Sequence, residues 1–452
     1  MNATPPEPAF PNPSASYVPR DRYLRRIEAF LNRPIVKILV GMRRVGKSVL
    51  LRLLIQRLLS RGVSPENILY INKESLEFDA LRTYEDLYRY VKSNFSHATG
   101  PRYVILDEVQ LIEGWEKAVV SLLSEGYADI TLSGSNAQLL SSELATLLSG
   151  RYVEIPVYPL TFSEFLSFRK NSEDPEKEFQ RYLRYGGLPG IHQLLLEDEA
   201  VFGYLGSIIH TVFYKDIVSR YRIRDVSVLD RVIAFVFDNI GNVTSAKGIS
   251  DYFKNQRIKI PVDTVVNYLH FLESSFLIDR VKRFDLQGKR QLEYHDKFYL
   301  NDIGLRHGVL GYRERDIDGI LENLVYKELQ ARGYRVFVGQ VGRQEVDFVA
   351  ESSKGRVYVQ VCYSLSSPAT VEREFGTLGR IPDHYEKIVL SLDRFYPEDH
   401  EGIRHQYLLD FLLKPADPIL AEPDAFYMGG YLQRGLQTRN PARRKGRNNV
   451  SA

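Results

Sequence analysis

Five short apolar runs, Ile35–Val40, Ile68–Ile71, Tyr103–Leu106, Ile130–Leu132 and Tyr152–Val157, alternate with helix-length stretches over the first third of the chain. Runs this short, without polar alternation, suit strands buried on both faces of a parallel sheet, so residues 21–160 are expected to form an α/β core. From Thr161 to about Arg220 the pattern turns helical, interrupted by Gly186-Gly187-Leu-Pro189-Gly190, and residues 161–225 read as a small helical unit. Residues 226–305 hold three helix patterns, near Val228–Asn239, Ser245–Phe253 and Asp263–Phe276. In the third, Val262, Val265, Val266, Leu269, Leu272 and Phe276 make an apolar stripe, opposite Asp263, Asn267, His270 and Ser274. Two strand-like runs follow, Asp279–Asp285 and Gln291–Leu300, joined at Gln287-Gly288-Lys289 where glycine permits a tight hairpin. Three helices and a hairpin predict a winged helix-turn-helix. Residues 306–415 carry an amphipathic helix, Leu321–Ala331, and strands Arg335–Val338, Glu345–Ala350, Val357–Cys362 and Lys387–Leu392, a second α/β unit. Residues 1–20 are Pro-rich and 416–452 lack periodic apolar positions, so both ends are expected to be disordered.

Composition narrows this picture. A chain of 452 residues with 44% apolar content exceeds one core and suits about three folded domains. The single cysteine excludes internal disulfides and cysteine-cluster zinc sites, and the nine histidines form no HxH or HExxH pair. No basic patch followed by an apolar segment opens the chain and no apolar run reaches membrane-spanning length, so a cytoplasmic protein with no membrane partner is expected. A net charge of +3 singles out no polyanionic partner, leaving local clusters to carry that question. The arginine-rich end (Arg434, Arg439, Arg443, Arg444, Lys445, Arg447) reads either as a solvated tail or as a non-specific phosphate-binding arm.

Chemistry enters at Gly41-Met42-Arg43-Arg44-Val45-Gly46-Lys47-Ser48, between the first strand run and a helical run beginning at Val49. Glycines let a backbone turn tightly and aim N–H groups at phosphate oxygens, the lysine reaches β- and γ-phosphates, and the hydroxyl serves Mg²⁺. These residues and Val49 are expected to line an ATP site. Asp107 and Glu108 end the third strand, where ligands of open α/β sheets bind. Asp107 would hold Mg²⁺ with Ser48, and Glu108 would polarise the attacking water. Ser133, Ser135 and Asn136 follow the fourth strand, either as polar groups between metal and γ-phosphate or as a plain turn. Arg151 precedes the fifth strand, either reaching a neighbouring subunit's γ-phosphate in a homo-oligomer or lying on the surface. Trp115 reads as core.

Taken together, Gly41–Ser48, Leu106-Asp107-Glu108-Val-Gln110, Gly114-Trp115-Glu116, Ser133-Gly-Ser135-Asn136-Ala, Leu148-Ser-Gly150-Arg151, Pro159-Leu-Thr-Phe-Ser-Glu164 and Gly186-Gly187-Leu-Pro189 resemble a family. These are the AAA+-type ATPases of bacteria and archaea in which a P-loop domain precedes a winged helix and a nuclease-like C-terminal domain. The resemblance covers most of residues 21–413. It implies ATP binding and hydrolysis, an inter-subunit role for Arg151 and a nucleotide-sensing lid containing Gly187 and Pro189.

The last domain has the layout of a PD-(D/E)xK nuclease: Glu322 on a helix, then Asp347, Gln360 and Cys362 on strands. That chemistry needs converging carboxylates, a divalent metal and a lysine. Gln360 stands in place of a carboxylate and Cys362 in place of the lysine, so a nuclease-like fold without cleavage is expected. Arg373 has little to recommend it as a migrated base, and Asp347 also reads as a local cap. For the winged helix, Asn267 and His270 with Arg280, Lys282, Arg283, Lys289 and Arg290 suit a helix in a DNA groove and a hairpin on phosphates. Winged helices also dock proteins. The chain thus reads as a Mg²⁺-dependent ATPase acting on DNA, with two rivals: a nucleotide-loaded switch that recruits a protein, and an ATP-gated nuclease.

Overall fold

The structure, a computed structural model, describes residues 17–135, 146–169, 174–288, 290–291, 295–353 and 355–414. The two tails expected to be disordered lie almost wholly outside these residues, as do Asn136 and Lys289. The apolar runs of the first third form β1 (Val36–Val40), β2 (Ile68–Asn72), β3 (Tyr103–Asp107), β4 (Asp129–Gly134) and β5 (Tyr152–Pro156), paired in parallel in the order β2-β3-β4-β1-β5. Between them run α1 (Asp21–Glu28, before β1), α2 (Lys47–Ser60), α3 (Tyr84–Asn94) and α4 (Trp115–Ser124). Alternation within the strands divides the core in two. Val36, Ile38, Val40, Val104 and Leu106 pack with Leu87, Val91 and Trp115 of α3 and α4, whereas Leu39, Ile68, Ile105 and Ile155 pack with Ile27 of α1 and Leu50 and Leu54 of α2. Lys37, the one charge in the first run, is fully buried and paired with Asp129 at 2.5 Å across the β1–β4 ladder.

The helical stretch begins with a capping box, in which the Thr161 hydroxyl accepts from the Glu164 N–H and the Glu164 carboxylate from the Thr161 N–H. It comprises α5 (Phe162–Phe168), α6 (Pro175–Tyr185), α7 (Asp198–Thr211) and a π-helical continuation, Val212–Val218. The next three helices are α8 (Val226–Asp238), α9 (Ala246–Asn255) and α10 (Val262–Ser274). On α10 the buried stripe is Val265, Tyr268, Leu269 and Leu272. Val262 and Val266, expected inside, are exposed beside Asn267 and His270, while Ser274, expected outside, is buried. Tyr268, which the expected stripe omits, is buried in the core.

The expected single hairpin is split between two sheets. β7 (Ile278–Val281) pairs antiparallel with β10 (Asp296–Leu300), which also meets β6 (Val243–Thr244). The outer part, β8 (Arg283–Asp285) and β9 (Arg290–Gln291), leaves that sheet, and β8 adds in parallel to β11 (Arg335–Val341). β11 belongs to the C-terminal sheet, ordered β15-β16-β14-β13-β12-β11-β8-β9, with β12 (Gln344–Ser352), β13 (Gly355–Val361), β14 (Glu386–Ser391), β15 (Asp399–His400) and β16 (Ile403–Tyr407). An exposed hairpin tip carries unpaired backbone groups, and joining a neighbouring sheet edge satisfies them. Helices α11 (Ile303–Leu310), α12 (Ile317–Ala331) and α13 (Leu408–Leu413) also belong to the described fold, as does a helical stretch between β13 and β14 that begins at Pro368 and ends at Gly379.

Candidate active site

β1 runs straight into the glycine loop. A Cβ on Gly41 would lie 2.3 Å from the Val157 carbonyl oxygen, so only glycine lets the loop leave the sheet beside the end of β5. Gly46, at φ +95°, turns the chain into α2, whose first residue is Lys47. The first-turn N–H groups of α2 therefore face the loop, as anion binding requires. Met42 and Val45 point into the core, while Arg43 is half-buried and Arg44 exposed. Ser48 and Val49 are half-buried. Lys47 is almost fully buried, and its Nζ donates to the carbonyls of Gly41 (2.8 Å) and Met42 (3.0 Å). Burial pushes its pKa down to about 8, against the opposing pull of Glu108 and Asp107. The helical unit closes on the same loop, since a Cβ on Gly46 would meet the Pro189 ring at 3.8 Å.

β3 delivers the two carboxylates. Asp107 accepts from the Tyr70 hydroxyl (3.1 Å) and from Ser133, whose Oγ in turn accepts the Glu108 N–H at 3.2 Å. Glu108 adopts a left-handed backbone (φ 54°), and its Oε2 receives Ser135 Oγ at 3.0 Å and the Gln110 side-chain amide. Ser133 and Ser135 thus hold the acidic pair rather than merely closing a turn. Burial, reinforced by Asp107, raises the Tyr70 pKa above the usual phenol range, so Tyr70 stays protonated as a donor. Sequence reasoning missed Tyr70 and Asp216. Asp216 is a buried carboxylate in the apolar run Val212-Phe-Tyr-Lys-Asp216-Ile-Val, and that isolation was its only signal; its Oδ2 accepts from Arg43 Nε at 2.7 Å.

Arg151 sits at the opposite end of the sheet, its carbonyl accepting the Val36 N–H (3.0 Å) and its Nε donating to the Leu148 carbonyl. The five residues of β1 separate it from the loop by roughly 13 Å, so it does not reach the loop of its own chain.

Among the residues expected to meet DNA, Asn267, His270 and Lys282 are exposed. Arg280 pairs with Glu273 at 3.0 Å, and Arg283 donates to the Gln340 side chain at 2.9 Å. The backbone of Arg290 pairs with Asp285. Arg283 of β8 therefore stands beside the C-terminal sheet, whereas Arg280 stays on the sheet of β7 and β10.

In that domain Glu322 and Asp347 are brought together with Glu345 around an amine from outside. Lys297 of β10 lies 2.7 Å from Glu322 and 2.6 Å from Glu345, and the Tyr299 hydroxyl also donates to Glu322. The Lys297 pKa is raised because the attraction of Glu322, Asp347 and Glu345 outweighs its burial. Burial first, and Glu322 next, lift Asp347 well above the usual carboxylate range. Gln360 accepts the Asp347 N–H (2.6 Å) and donates to Glu374 (2.8 Å), while Asp347 accepts the Val361 N–H. Arg373 is paired with Glu374. Burial pushes the Cys362 thiol up, away from thiolate chemistry. Among the described residues no three His, Cys, Asp or Glu side chains are arranged to hold a metal ion, and no helix is long and apolar enough to cross a membrane.

Comparison with known proteins agrees with this geometry. Residues 33–166 match the family described as "AAA domain", and residues 176–316 match a domain of unknown function (DUF8612). An uncharacterised protein of Haemophilus influenzae is 35% identical over 404 residues, covering 89% of this chain and 100% of that protein. The uncharacterised protein MJ1544 of Methanocaldococcus jannaschii is 29% identical over 372 residues, 79% of each chain. Among solved structures, the Walker-type ATPase PABY2304 of Pyrococcus abyssi aligns with 65% of this chain and 96% of its own, at 19% identity and a TM-score of 0.46. The chain belongs to the same family as the Haemophilus influenzae protein, and its residues 33–166 are similar to the AAA domain family.

Proposed function

We propose that this protein is a Mg²⁺-dependent ATPase whose nucleotide state moves the helical lid (residues 161–225) against the core, acting on DNA through the winged helix of residues 226–305. The observation that carries the reading is the convergence of Lys47, seated in the glycine loop, with an Asp107–Glu108 pair held by Ser133 and Ser135. The loop fits a triphosphate: its turn has no room for a Cβ at Gly41, and its lysine is buried among carbonyls. Ser48 and Asp107 supply the hard oxygen donors that Mg²⁺ takes, and the ion would neutralise charge on the phosphates. Lys47 exchanges its carbonyl partners for β/γ-phosphate oxygens. Glu108, fixed by Ser135 and Gln110, orients a water and accepts its proton. Arg151, out of reach of its own loop, serves a neighbouring copy.

The test is steady-state phosphate release by the cytoplasmic-type full chain with and without duplex DNA. Glu108→Gln and Lys47→Ala should each lower turnover by at least about a hundredfold, and equal rates in all three proteins would remove the hydrolysis reading. A switch that recruits a protein is favoured by one observation: Val262 and Val266 are exposed side by side on α10, where they offer an apolar docking face. DNA-independent, near-stoichiometric turnover would select it. The C-terminal domain is read as a nuclease-like fold without cleavage, because Lys297 occupies the centre of its carboxylates.

A further inference from the structure

The phosphate loop carries a second cation whose partner is on the lid. Arg43 Nε donates to Asp216 Oδ2 at 2.7 Å, and its Nη1 donates to Glu74 at 3.2 Å. Asp216 is nearly fully buried, whereas the Glu74 side chain is half exposed. The lid therefore spends a buried carboxylate on one arginine of the glycine loop. It does so from a π-helical turn, Val212–Val218, and such turns inside α-helices are frequent at functional sites. Both members of the pair act electrostatically on Lys47, Arg43 lowering and Asp216 raising its pKa. The pair therefore borders the place where phosphate charge arrives. Beside it a cleft of about 90 Å³, lined by Arg43, Arg44, Ser207 and Thr211, leaves the guanidinium room to turn.

We propose that Arg43 and Asp216 form a γ-phosphate-sensitive latch between the phosphate loop and the lid. Asp216 and a γ-phosphate are rival acceptors for one guanidinium, and a phosphate oxygen carrying more charge is the stronger acceptor. A γ-phosphate draws Arg43 from Asp216 and repels the freed carboxylate, releasing the lid. A diphosphate ends too early to compete. Asp216 is thus a positioning residue that acts through Arg43. It makes the lid respond to the third phosphate rather than to nucleotide in general.

The inference rests on ATP occupying the loop, and the experiment separates the two. Affinities of the full chain for ATPγS and for ADP, with Mg²⁺, are measured by calorimetry for wild type, Asp216→Asn, Arg43→Gln and the double variant. Asp216→Asn should raise the preference for ATPγS over ADP by roughly fivefold or more. Arg43→Gln should lower that preference, and the double variant should match Arg43→Gln. Arg43→Gln changes only the loop partner, so it tests the latch even if the buried Asp216→Asn fails to fold. A preference unchanged in Arg43→Gln, or equal shifts for both nucleotides, overturns the latch alone. No binding of either nucleotide by wild type overturns the ATP reading with it.

Discussion

Replacing Lys297 by Met keeps the side-chain volume and removes the cation from a cluster with Glu322, Glu345 and Asp347. Lys297 is 3% exposed and lies within 2.7 Å of two carboxylates, with Asp347 adding a third negative influence. At an effective dielectric constant of about 20, each close pair is worth about 6 kcal/mol before desolvation. Desolvation of the ammonium offsets several kcal/mol of this sum, but in the variant Glu322, Glu345 and Asp347 remain without their cation. A net loss of about 3–5 kcal/mol is expected. Because Lys297 lies on β10 and its partners on α12 and β12, the loss should appear where residues 226–305 meet the C-terminal sheet. Amide hydrogen exchange read by mass spectrometry on β7, β10, β12 and α12 measures it locally, with no need for all-or-none unfolding. Glu322 and Asp347 have raised pKa values in the fold. They bind protons more tightly folded than unfolded, so their contribution to stability falls as pH rises. Losing Lys297 strengthens this bias, so the gap between wild type and variant should narrow as pH falls from 8 toward 5. A loss below about 1 kcal/mol, or a gap independent of pH, would refute the view that this lysine neutralises the cluster.

Gly187→Ala should loosen the lid, because the added Cβ would lie 2.4 Å from the Leu160 carbonyl, and the Gly187 N–H is anchored to Asp302 at 2.7 Å. A loss of about 2–4 kcal/mol with weaker nucleotide binding is expected, and unchanged melting and affinity would contradict it. His307 is buried with Nε2 3.2 Å from the Leu183 carbonyl, and burial lowers its pKa from 6.5 to about 4. The folded state thus binds fewer protons than the unfolded one between these values, and about 3 kcal/mol of stability should be lost on acidification from pH 7 to 4. The same scan of His307→Gln lacks this contribution, so parallel melting profiles would exclude it. Arg151→Ala should slow turnover in a protein-concentration-dependent assay while leaving ATPγS affinity intact, and unchanged turnover would return Arg151 to the surface reading.

Much of the AAA core was legible because its signals are local. Short unbroken apolar runs, a glycine loop and paired carboxylates at a strand end each follow from a few neighbouring residues, and the structure sets Lys47 beside Asp107 and Glu108 as that pattern implies. Periodicity misled at α10, where it assigns Val262 and Val266 to the core although both are exposed, and leaves out Tyr268, which is buried. The hairpin shows a deeper limit. Gln287-Gly288-Lys289 predicts a turn, and β8 and β9 do pair across it, yet no feature of residues 279–300 says that β8 will lie along β11, some fifty residues further on. Strand addition depends on which edges are left unpaired after the domains form, a property of the assembled sheets. Lys297 and Asp216 were missed for the same reason. Each is an unremarkable charge in its own segment and gains meaning only from carboxylates or an arginine delivered by another domain. The chemistry readable from sequence is therefore that of the individual sites. The couplings between them, β10 to the C-terminal sheet and the helical unit to the glycine loop, rest in part on the charges Lys297 and Asp216, which find partners far along the chain because an unpaired buried charge is costly.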